Sequence, residues 1–428
     1  MNVEELYEIY LKHPVITTDS RKVEPGSIFF ALKGEKFNGN EYAQKAVELG
    51  AAYAVIDDEH FTNENTILVD DVLQTLQQLA HHHRKNLNIP FLAITGSNGK
   101  TTTKELIHAV LSTKFNTSTT VGNLNNHIGV PLTILRIRQD AEIAVIEMGA
   151  NHQKEIESYC KIALPSHGLI TNCGKAHLEG FGGEEGVRKG KGELFDHLRE
   201  HGGTAFIMKD YDYLCQMSKG IKEVFTYGTH DANVVGQVVK SDPFLEVQFT
   251  GGLNEKVATN LVGSYNLSNV LAAAAVGTYF SVAENNVKKA IEQYNPSNSR
   301  SQLMKQGSNQ IILDAYNANP SSMKVAIDNF AKLNSNAPKG KILVLGAMAE
   351  LGEESLQEHI NIVAEIQKHN WENVLLVGGD FQKIKHSFLS FDTPEKAGEW
   401  LQENGTAHKY LLIKGSRSMA MEKVLAYL

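Results

Sequence analysis

Short apolar runs alternate with amphipathic stretches along most of this chain, a pattern typical of α/β proteins. Near the N-terminus, apolar runs at residues 27–32, 52–56 and 66–69 predict strands. The stretches 41–49 and 72–84 predict helices between and after them. The first part of the chain is therefore expected to form a small α/β unit.

Strand and helix patterns keep alternating from residue 91 to about residue 298, which predicts a parallel sheet covered by helices. Two runs with no helix between them, 232–240 and 244–250, predict an antiparallel edge or flap. The other predicted elements are strands at 91–95, 142–147, 167–171 and 204–208, and helices over about 100–112, 266–279 and 284–294.

The last part of the chain, from Arg300 onward, has the pattern of a small doubly wound domain. Glycines follow several of its strands, where open α/β sheets bind ligands. The predicted strands are 310–314, 341–345, 373–377 and 410–414, and the glycines are Gly346, Gly378, Gly379 and Gly415.

Two polar stretches divide these regions. Residues 82–88, closed by Pro90, and the turn-rich residues 295–299 are predicted to be linkers. The sequence therefore predicts three domains with boundaries at 1–85, 86–298 and 299–428. The histidine run 81–83 lies at the first linker and is interpreted as a solvated helix end rather than a metal site.

The composition and net charge of the chain limit the classes of binding partner that are expected. The net charge of −8 argues against nucleic acid, and the longest apolar stretch, 270–280, is too short to span a membrane. Three cysteines without paired spacing fit a reducing compartment, and the acidic N-terminus is unlike a signal peptide. We expect a cytoplasmic monomer that acts on small molecules and binds neither nucleic acid nor membrane.

A glycine-rich turn is the strongest candidate for chemistry. Residues 95–104 read Thr-Gly-Ser-Asn-Gly-Lys-Thr-Thr-Thr-Lys and follow a predicted strand. Gly96 and Gly99 allow close backbone approach to phosphate, Lys100 would neutralise it, and the Thr101 hydroxyl would hold Mg²⁺. The general phosphate-loop pattern has glycine where this chain has Ile94, so a ligand-free turn stays an alternative.

Other polar residues could complete a Mg²⁺-nucleotide site. Glu147 ends a predicted strand and is a candidate metal ligand, and Asp314 ends another and could bind ribose hydroxyls. Arg300, in the second linker, could reach a phosphate when the domains close. His177 is a weak candidate ligand alone, and Lys191 would ordinarily be a surface lysine. The residues thus indicate an ATP-using enzyme and leave its acceptor open.

Taken together, these motifs resemble the Mur ligase family, the ATP-dependent ligases of peptidoglycan precursor synthesis. The resemblance covers the stretches 95–104, 147–150, 172–179, 263–273 and 314–323, in order. It implies a small α/β N-terminal uridine-binding domain, a central P-loop ATPase domain with a parallel sheet, and a C-terminal Rossmann-like domain.

Within the family, four further stretches resemble the member that adds D-alanyl-D-alanine to UDP-N-acetylmuramoyl-tripeptide through an acyl phosphate. They are 18–21 with 26–32, 122–131, 314–320 and 414–419. The chain departs from the family at Ala347, where aspartate is common. The third residue of the tripeptide, diaminopimelate or lysine, stays open.

The resemblance also implies roles for individual residues. It makes Lys100, His177 and Lys191 catalytic, with Lys191 carbamylated (Lys189 is the fallback) and two Mg²⁺ ions held by Thr101, Glu147, His177 and Lys191. It assigns ATP binding to Gly96, Ser97, Asn98, Gly99, Lys100, Thr101, Thr102, Asn266, Asn269, Arg300 and Asp314. It assigns substrate binding to Ser20 and Arg21 (uridine diphosphate), Asn125, Asn126 and His127 (muramoyl-peptide), and Asn317, Asn319, Ser321, Lys414 and Arg417 (dipeptide).

Three alternatives remain open on the sequence. The nearest is a family ligase that adds a single amino acid. A folylpolyglutamate-type ligase is less favoured because it lacks the N-terminal uridine-binding module. A nucleotide switch ATPase is more remote, since no partner-binding surface is evident. For Asn266 and Asn269, the alternative is a helix cap and a helix-face amide.

Overall fold

The computed structural model describes residues 1–297, 299–333 and 340–428, and it contains three main sheets that follow one another along the chain. The predicted α/β class is confirmed. Asn298, in the predicted second linker, lies outside the described residues. The domain boundaries stay predictions, although each main sheet falls within one of the three predicted segments.

The N-terminal segment has a four-stranded parallel sheet in the order β1-β2-β5-β6, and β3 and β4 form a separate hairpin. Helix α1 escaped prediction, although Asn2 and Glu5 form a capping box at its start. The elements are α1 Val3–Lys12, β1 Ile16–Thr17, β2 Ile28–Phe30, β3 Lys33–Gly34, β4 Phe37–Asn38, α2 Ala43–Glu48, β5 Tyr53–Ile56, β6 Thr66–Leu68 and α3 Val72–Lys85.

Helix α3 joins the first two segments, and its last turn is not a solvated end as predicted. The ring of His83 is buried, with Nδ1 3.2 Å from the Tyr7 hydroxyl and Nε2 2.9 Å from the Ile137 carbonyl. Arg84 donates to the carbonyls of Ala163 and Leu164. These contacts fix the N-terminal segment against the central sheet, which explains why the run is polar yet packed.

The central segment contains a nine-stranded sheet in the order β15-β14-β13-β12-β11-β10-β7-β9-β8. Its strands are β7 Phe91–Thr95, β8 Thr117–Thr119, β9 Ile143–Glu147, β10 His167–Ile170, β11 Thr204–Met208, β12 Glu223–Gly228, β13 Val234–Lys240, β14 Phe244–Gly251 and β15 Lys256–Val262. Its helices are α4 Lys100–Leu111, α5 Gly129–Leu135, α6 Glu155–Ala163, α7 Leu178–Phe181, α8 Glu184–His201, α9 Asp212–Met217, α10 Leu267–Tyr279 and α11 Glu284–Gln293.

Strand direction in this sheet sets the position of the site. From β8 to β13 all neighbours are parallel. Strand β13 pairs antiparallel with β14, as predicted, and β14 pairs antiparallel with the additional strand β15. Because β7 lies between β9 and β10, the loops that follow these three strands meet at one edge. Strands β8, β12 and β15 were not predicted; β8 is short, and β12 and β15 carry many polar residues.

The C-terminal segment has a six-stranded sheet in the order β16-β17-β21-β18-β19-β20, parallel except for β16. The four predicted strands are confirmed, and the two edge strands β16 and β20 are additional. The elements are β16 Gln302–Gln306, β17 Asn309–Asp314, α12 Pro320–Lys332, β18 Lys341–Gly346, α13 Ser355–Ile366, β19 Asn373–Val377, β20 Leu389–Phe391, α14 Pro394–Asn404 and β21 Tyr410–Lys414.

Within the described ranges, no helix has the length and apolar character needed to cross a membrane.

Candidate active site

A cleft of about 700 Å³ opens between the carboxyl edge of the central sheet and the C-terminal segment. Most of the residues singled out from the sequence line it. They are Ser97, Asn98, Gly99, Lys100, Thr101, Thr102, Asn125, Asn126, His127, Glu147, His177, Asn266, Asn269, Arg300, Asp314, Asn317, Asn319, Ser321 and Lys414.

The phosphate loop needs its two glycines for space and for backbone conformation. Gly96 has φ +144°, and a Cβ there would lie 2.0 Å from Oγ1 of Thr171. Gly99 has φ +82°, and a Cβ there would lie 2.6 Å from Oδ1 of Asn269. Gly99 also precedes α4 without a side-chain cap, so the first N–H groups of that helix are available to an anion.

Lys100 lies at the start of α4 and folds back onto its own loop. Its Nζ donates to the Gly96 carbonyl at 2.7 Å. Burial lowers the pKa of Lys100, and the nearby Glu147 carboxylate opposes that change. The amine is therefore held at the loop, where a phosphate would replace a carbonyl as its partner.

The carboxylate of Glu147 lies beside the phosphate loop, and its two oxygens differ in their hydrogen bonding. Its Oε1 accepts hydrogen bonds from the Thr101 hydroxyl at 3.2 Å and from Nδ2 of Asn125 at 2.7 Å. Its Oε2 is buried and has no hydrogen-bond partner among the described residues. A buried, unpaired carboxylate oxygen next to a hydroxyl fits a Mg²⁺ ligand set.

Lys191 is not the surface lysine that its helix position suggested. It is 1% exposed, and its Nζ donates to the Ala150 carbonyl at 3.0 Å, just beyond Glu147. Burial, then the charge of Lys100, lowers the pKa of Lys191 to about 7. The side chain lies behind the cleft wall, outside its lining residues, whereas the fallback Lys189 is exposed.

His177 meets a carboxylate that the sequence did not suggest. Its Nδ1 lies 2.5 Å from Oε2 of Glu350, which belongs to the C-terminal segment. This contact lowers the pKa of Glu350. Both residues have left-handed backbones, with φ of 52° and 61°.

The predicted adenine residues are already engaged with each other. Nδ2 of Asn269 donates to Oδ1 of Asn266 at 2.8 Å, and Oδ1 of Asn269 accepts from Thr103. Nδ2 of Asn266 donates to the Val262 carbonyl. These amides anchor α10 against α4 while lining the cleft, so the structural alternative accounts for their hydrogen bonds.

The predicted ribose and phosphate residues of the C-terminal segment also have partners. Oδ2 of Asp314 accepts from the buried Lys414 at 2.6 Å, and Oδ1 accepts from the Ser301 N–H. Arg300 stacks 3.6 Å above the Tyr316 ring, and its buried Nε has no partner in the described ranges. The guanidinium of Arg300 is therefore available to bind an anion in the cleft.

Three further contacts join the two sides of the cleft. Nδ2 of Asn319 donates to Oδ1 of Asn98 in the phosphate loop at 2.8 Å. The Lys175 N–H donates to Oγ of Ser321 at 3.0 Å, and Nζ of Lys175 donates to Glu358 at 2.7 Å.

Besides Lys191, four predicted residues lie outside the cleft lining. Gly96 is buried against Thr171 and Asn172, which follow β10. Ser20 and Arg21 belong to a short 3₁₀ helix of the N-terminal segment, where the Arg21 side chain is 87% exposed and paired with Asp19. Arg417 pairs with Glu422.

Two cleft tyrosines that follow β11 were not predicted. Tyr211 and Tyr213 stack with ring centroids 5.7 Å apart, and the Tyr213 hydroxyl accepts the Cys173 N–H at 3.1 Å. Their position after a parallel strand was the signal that could have found them.

Three family models match successive parts of the chain. The model described as "Mur ligase family, catalytic domain" matches residues 14–84, "Mur ligase middle domain" matches 94–277, and "Mur ligase, glutamate ligase domain" matches 299–417.

Similar proteins cover nearly the full length. The chain is 36% identical to the UDP-N-acetylmuramoyl-tripeptide–D-alanyl-D-alanine ligase of Bacillus subtilis, over 98% of this chain and 93% of that protein. It is 35% identical to the ligase of the same name from Escherichia coli, over 96% and 92%.

Solved structures give the same picture. The crystal structure of MurF from Acinetobacter baumannii matches with a TM-score of 0.89 and 29% identity, over 99% of this chain and 98% of that one. MurF ligase from Thermotoga maritima, solved in complex with ADP, matches with a TM-score of 0.86 and 27% identity, over 97% of both.

Proposed function

The chain belongs to the Mur ligase family, and we propose that it uses ATP to join D-alanyl-D-alanine to the terminal carboxylate of UDP-N-acetylmuramoyl-tripeptide. The observation that carries the proposal is the full-length similarity to ligases of that name. The cleft supports the chemistry, because a phosphate loop lies beside Glu147, one of whose carboxylate oxygens is buried without a partner among the described residues.

The reaction has two steps. The tripeptide carboxylate attacks the γ-phosphorus of ATP, which forms an acyl phosphate and releases ADP. The amine of D-alanyl-D-alanine then attacks the carbonyl carbon, loses a proton, and expels phosphate as the amide bond forms. The first step brings two anions together, and the second develops negative charge on the carbonyl oxygen, so the site mainly needs cations and N–H donors.

The phosphate loop meets part of that need. We assign the α4 N-terminus and Lys100 to the β- and γ-phosphates, with Lys100 exchanging the Gly96 carbonyl for phosphate oxygen. Arg300, whose buried Nε lacks a partner in the described ranges, is assigned to a phosphate as well. Ser97 and Asn98 belong to the same loop, and Thr102 belongs to the first turn of α4.

The residues around Glu147 fit Mg²⁺, which supplies charge neutralisation at the transferring phosphate. Thr101 and Glu147 would hold one ion. Glu147, His177 and the group at Lys191 would hold a second. Thr101, Glu147 and His177 line the cleft, and Lys191 is buried behind its wall.

We further propose that Lys191 is carbamylated. An ammonium beside a divalent cation is repelled, whereas a carbamate supplies ligand oxygens. The neutral amine combines with CO₂, forms a C–N bond and releases a proton. Burial of Lys191 favours the neutral amine at neutral pH, since its pKa falls to about 7.

Substrate binding is assigned by resemblance. Ser20 and Arg21 would bind uridine diphosphate, and the guanidinium of Arg21 is exposed for it. His127 with Asn125 and Asn126 would face the muramoyl-peptide, although Oδ1 of Asn126 accepts a hydrogen bond from the Gly129 N–H at the start of α5. The remaining assignments are Asn266 and Asn269 to adenine, Asp314 to ribose, and Asn317, Asn319, Ser321, Lys414 and Arg417 to the dipeptide.

A family ligase that adds a single amino acid remains the second candidate. The folate-type alternative rests on fold alone, because a folylpolyglutamate synthase from Thermotoga maritima is 12% identical over 83% of this chain. The cytoplasmic location and monomeric state stay predictions.

Product analysis tests the proposal. The protein is incubated with ATP, Mg²⁺ and UDP-N-acetylmuramoyl-tripeptide, with D-alanyl-D-alanine or single amino acids as competing amines. The proposal requires the UDP-linked pentapeptide as the main product by mass spectrometry. A tetrapeptide product, or reaction only with a shorter acceptor, would move the enzyme to another step.

Oxygen labelling tests the acyl phosphate separately. The tripeptide is labelled with ¹⁸O in its terminal carboxylate. One label should appear in the released phosphate, because the attacking oxygen stays with phosphorus. Phosphate free of label would contradict the intermediate.

A further inference from the structure

A carboxylate from the C-terminal segment lies on the ring of His177. Oε2 of Glu350 is 2.5 Å from Nδ1 of His177. Within the described ranges, no directed hydrogen bond reaches this buried nitrogen. The two atoms are within hydrogen-bonding distance of each other.

The backbone at both residues is in a conformation that side chains rarely adopt. His177 has φ 52° and Glu350 has φ 61°, and neither is a glycine. Such residues persist where the surrounding structure holds them, and they concentrate at functional sites. Here two of them face each other across one interface.

Contacts on both sides hold this meeting point in place. A Cβ on Gly352 would lie 3.1 Å from the Cβ of Glu179, so the chain after Glu350 packs tightly on α7. On the other side, Lys175 donates to Glu358. The segment 350–358 is therefore docked along the loop that carries His177.

We propose that Glu350 is a positioning residue that orients the His177 ring for Mg²⁺, and that this support exists only while the C-terminal domain lies against the central domain. A carboxylate on one ring nitrogen fixes the tautomer and leaves the other nitrogen to bind metal. The proposal rests on the Mg²⁺-dependent ligase function. It adds that the metal site depends on Glu350, which lies 173 positions after His177 in the sequence.

Binding of Mn²⁺ tests the proposal without turnover. Mn²⁺ is titrated into the full-length protein with a non-hydrolysable ATP analogue, and free Mn²⁺ is measured by electron paramagnetic resonance. Glu350→Ala should weaken the Mn²⁺ site that His177→Ala removes, by about tenfold to a hundredfold. Glu350→Gln keeps an acceptor and should lose less. Glu354→Gln, an exposed change in the same segment, should match wild type.

A double-mutant cycle separates orientation from other effects. In a His177→Ala background, Glu350→Ala should produce no further loss of Mn²⁺ affinity. An equal loss in that background would mean that Glu350 binds the ion itself, and the proposal would fall. It would also fall if Glu350→Ala left Mn²⁺ affinity unchanged or tightened it.

The outcome is separable from that of the function. Circular dichroism and thermal unfolding identify variants that fail to fold. If Glu350→Ala does not fold, Glu350→Gln, which is nearly identical in shape, replaces it in the test. Since no amine or tripeptide is present, the result does not depend on which peptide bond the enzyme forms. A failed product assay with normal Mn²⁺ coupling would overturn the proposed substrates alone.

Discussion

Two lysines near the cleft differ in what their surroundings allow them to do. Lys100 can exchange a loop carbonyl for phosphate, so it serves as a cation. Lys191 is enclosed by Phe181 and the Ala150 carbonyl, and its pKa falls to about 7, so its amine is readily neutral. One residue type thus provides a charge in one place and a modifiable amine in another.

Replacing Lys100 should stop catalysis without unfolding the protein. Lys100→Ala removes the cation beside the transferring phosphate, so we expect kcat to fall by at least about a hundredfold. Steady-state phosphate release measures the change. Lys161→Ala, which removes an exposed lysine of α6, is the control and should keep wild-type turnover. Near-normal turnover of a folded Lys100→Ala protein would refute the phosphate-loop assignment.

The lowered pKa of Lys191 predicts a pH-dependent stability. The unfolded lysine has a pKa near 10.4, so between pH 7 and 10 the unfolded state binds more protons and wild-type stability rises with pH. Lys191→Met removes this group. The free energy of unfolding of Lys191→Met, relative to that of wild type, should therefore decrease by about 2–3 kcal/mol from pH 6 to pH 9.

Urea unfolding in CO₂-free buffer measures that difference. The exposed Lys189→Met is the matched control and should show no such pH trend. An advantage of Lys191→Met that is constant with pH would show that the amine is not buried as described. Carbamylation is followed separately by ¹³C nuclear magnetic resonance with labelled CO₂, and should rise from pH 6 to pH 8 at fixed CO₂ pressure.

At the scale of elements, the phosphate loop depends on a strand-to-helix turn that requires glycine at position 96. Gly96→Ala would force a methyl group to 2.0 Å from Thr171 Oγ1, so ATP affinity should be lost. Gly307→Ala, at φ +58° with open space around it, isolates the backbone strain. It should cost about 1–2 kcal/mol of stability and leave ATP binding intact. Calorimetric titration with ATP distinguishes them; equal affinities would contradict the loop geometry.

Sequence patterns predicted the buried parallel strands because these are continuous apolar runs. Strands β12 and β15 were not predicted, because their polar residues interrupt the apolar pattern. Helix α1 was not predicted either, although its capping box is a local sequence signal. The interpretation of His83 failed for another reason. Its burial depends on Tyr7 and Ile137, which are remote in sequence.

The candidate site shows the same division. Local motifs identified Lys100, Thr101 and Glu147, because a phosphate loop and a strand-end carboxylate are local features. The burial of Lys191 could not be inferred, since it depends on packing against Phe181. Neither could Glu350, because its contact with His177 exists only once two domains meet.

At the scale of the whole molecule, a few polar contacts hold the C-terminal domain against the cleft. Lys175→Met removes the ion pair with Glu358, which is worth roughly 1 kcal/mol at such a part-exposed site. The population of open molecules should rise about fivefold, and small-angle scattering should report a larger radius of gyration. Lys161→Met, which breaks an ion pair within α6, should leave the radius unchanged. No difference between the two would contradict this role.

The central claim is that ATP cleavage in the cleft is coupled to peptide-bond formation, and phosphate release tests it most directly. The protein is given ATP, Mg²⁺ and UDP-N-acetylmuramoyl-tripeptide, with and without D-alanyl-D-alanine. We expect sustained release only when both co-substrates are present, with one phosphate per pentapeptide formed. Sustained release from ATP alone, at the same rate with or without the co-substrates, would contradict the account and indicate a nucleotide switch.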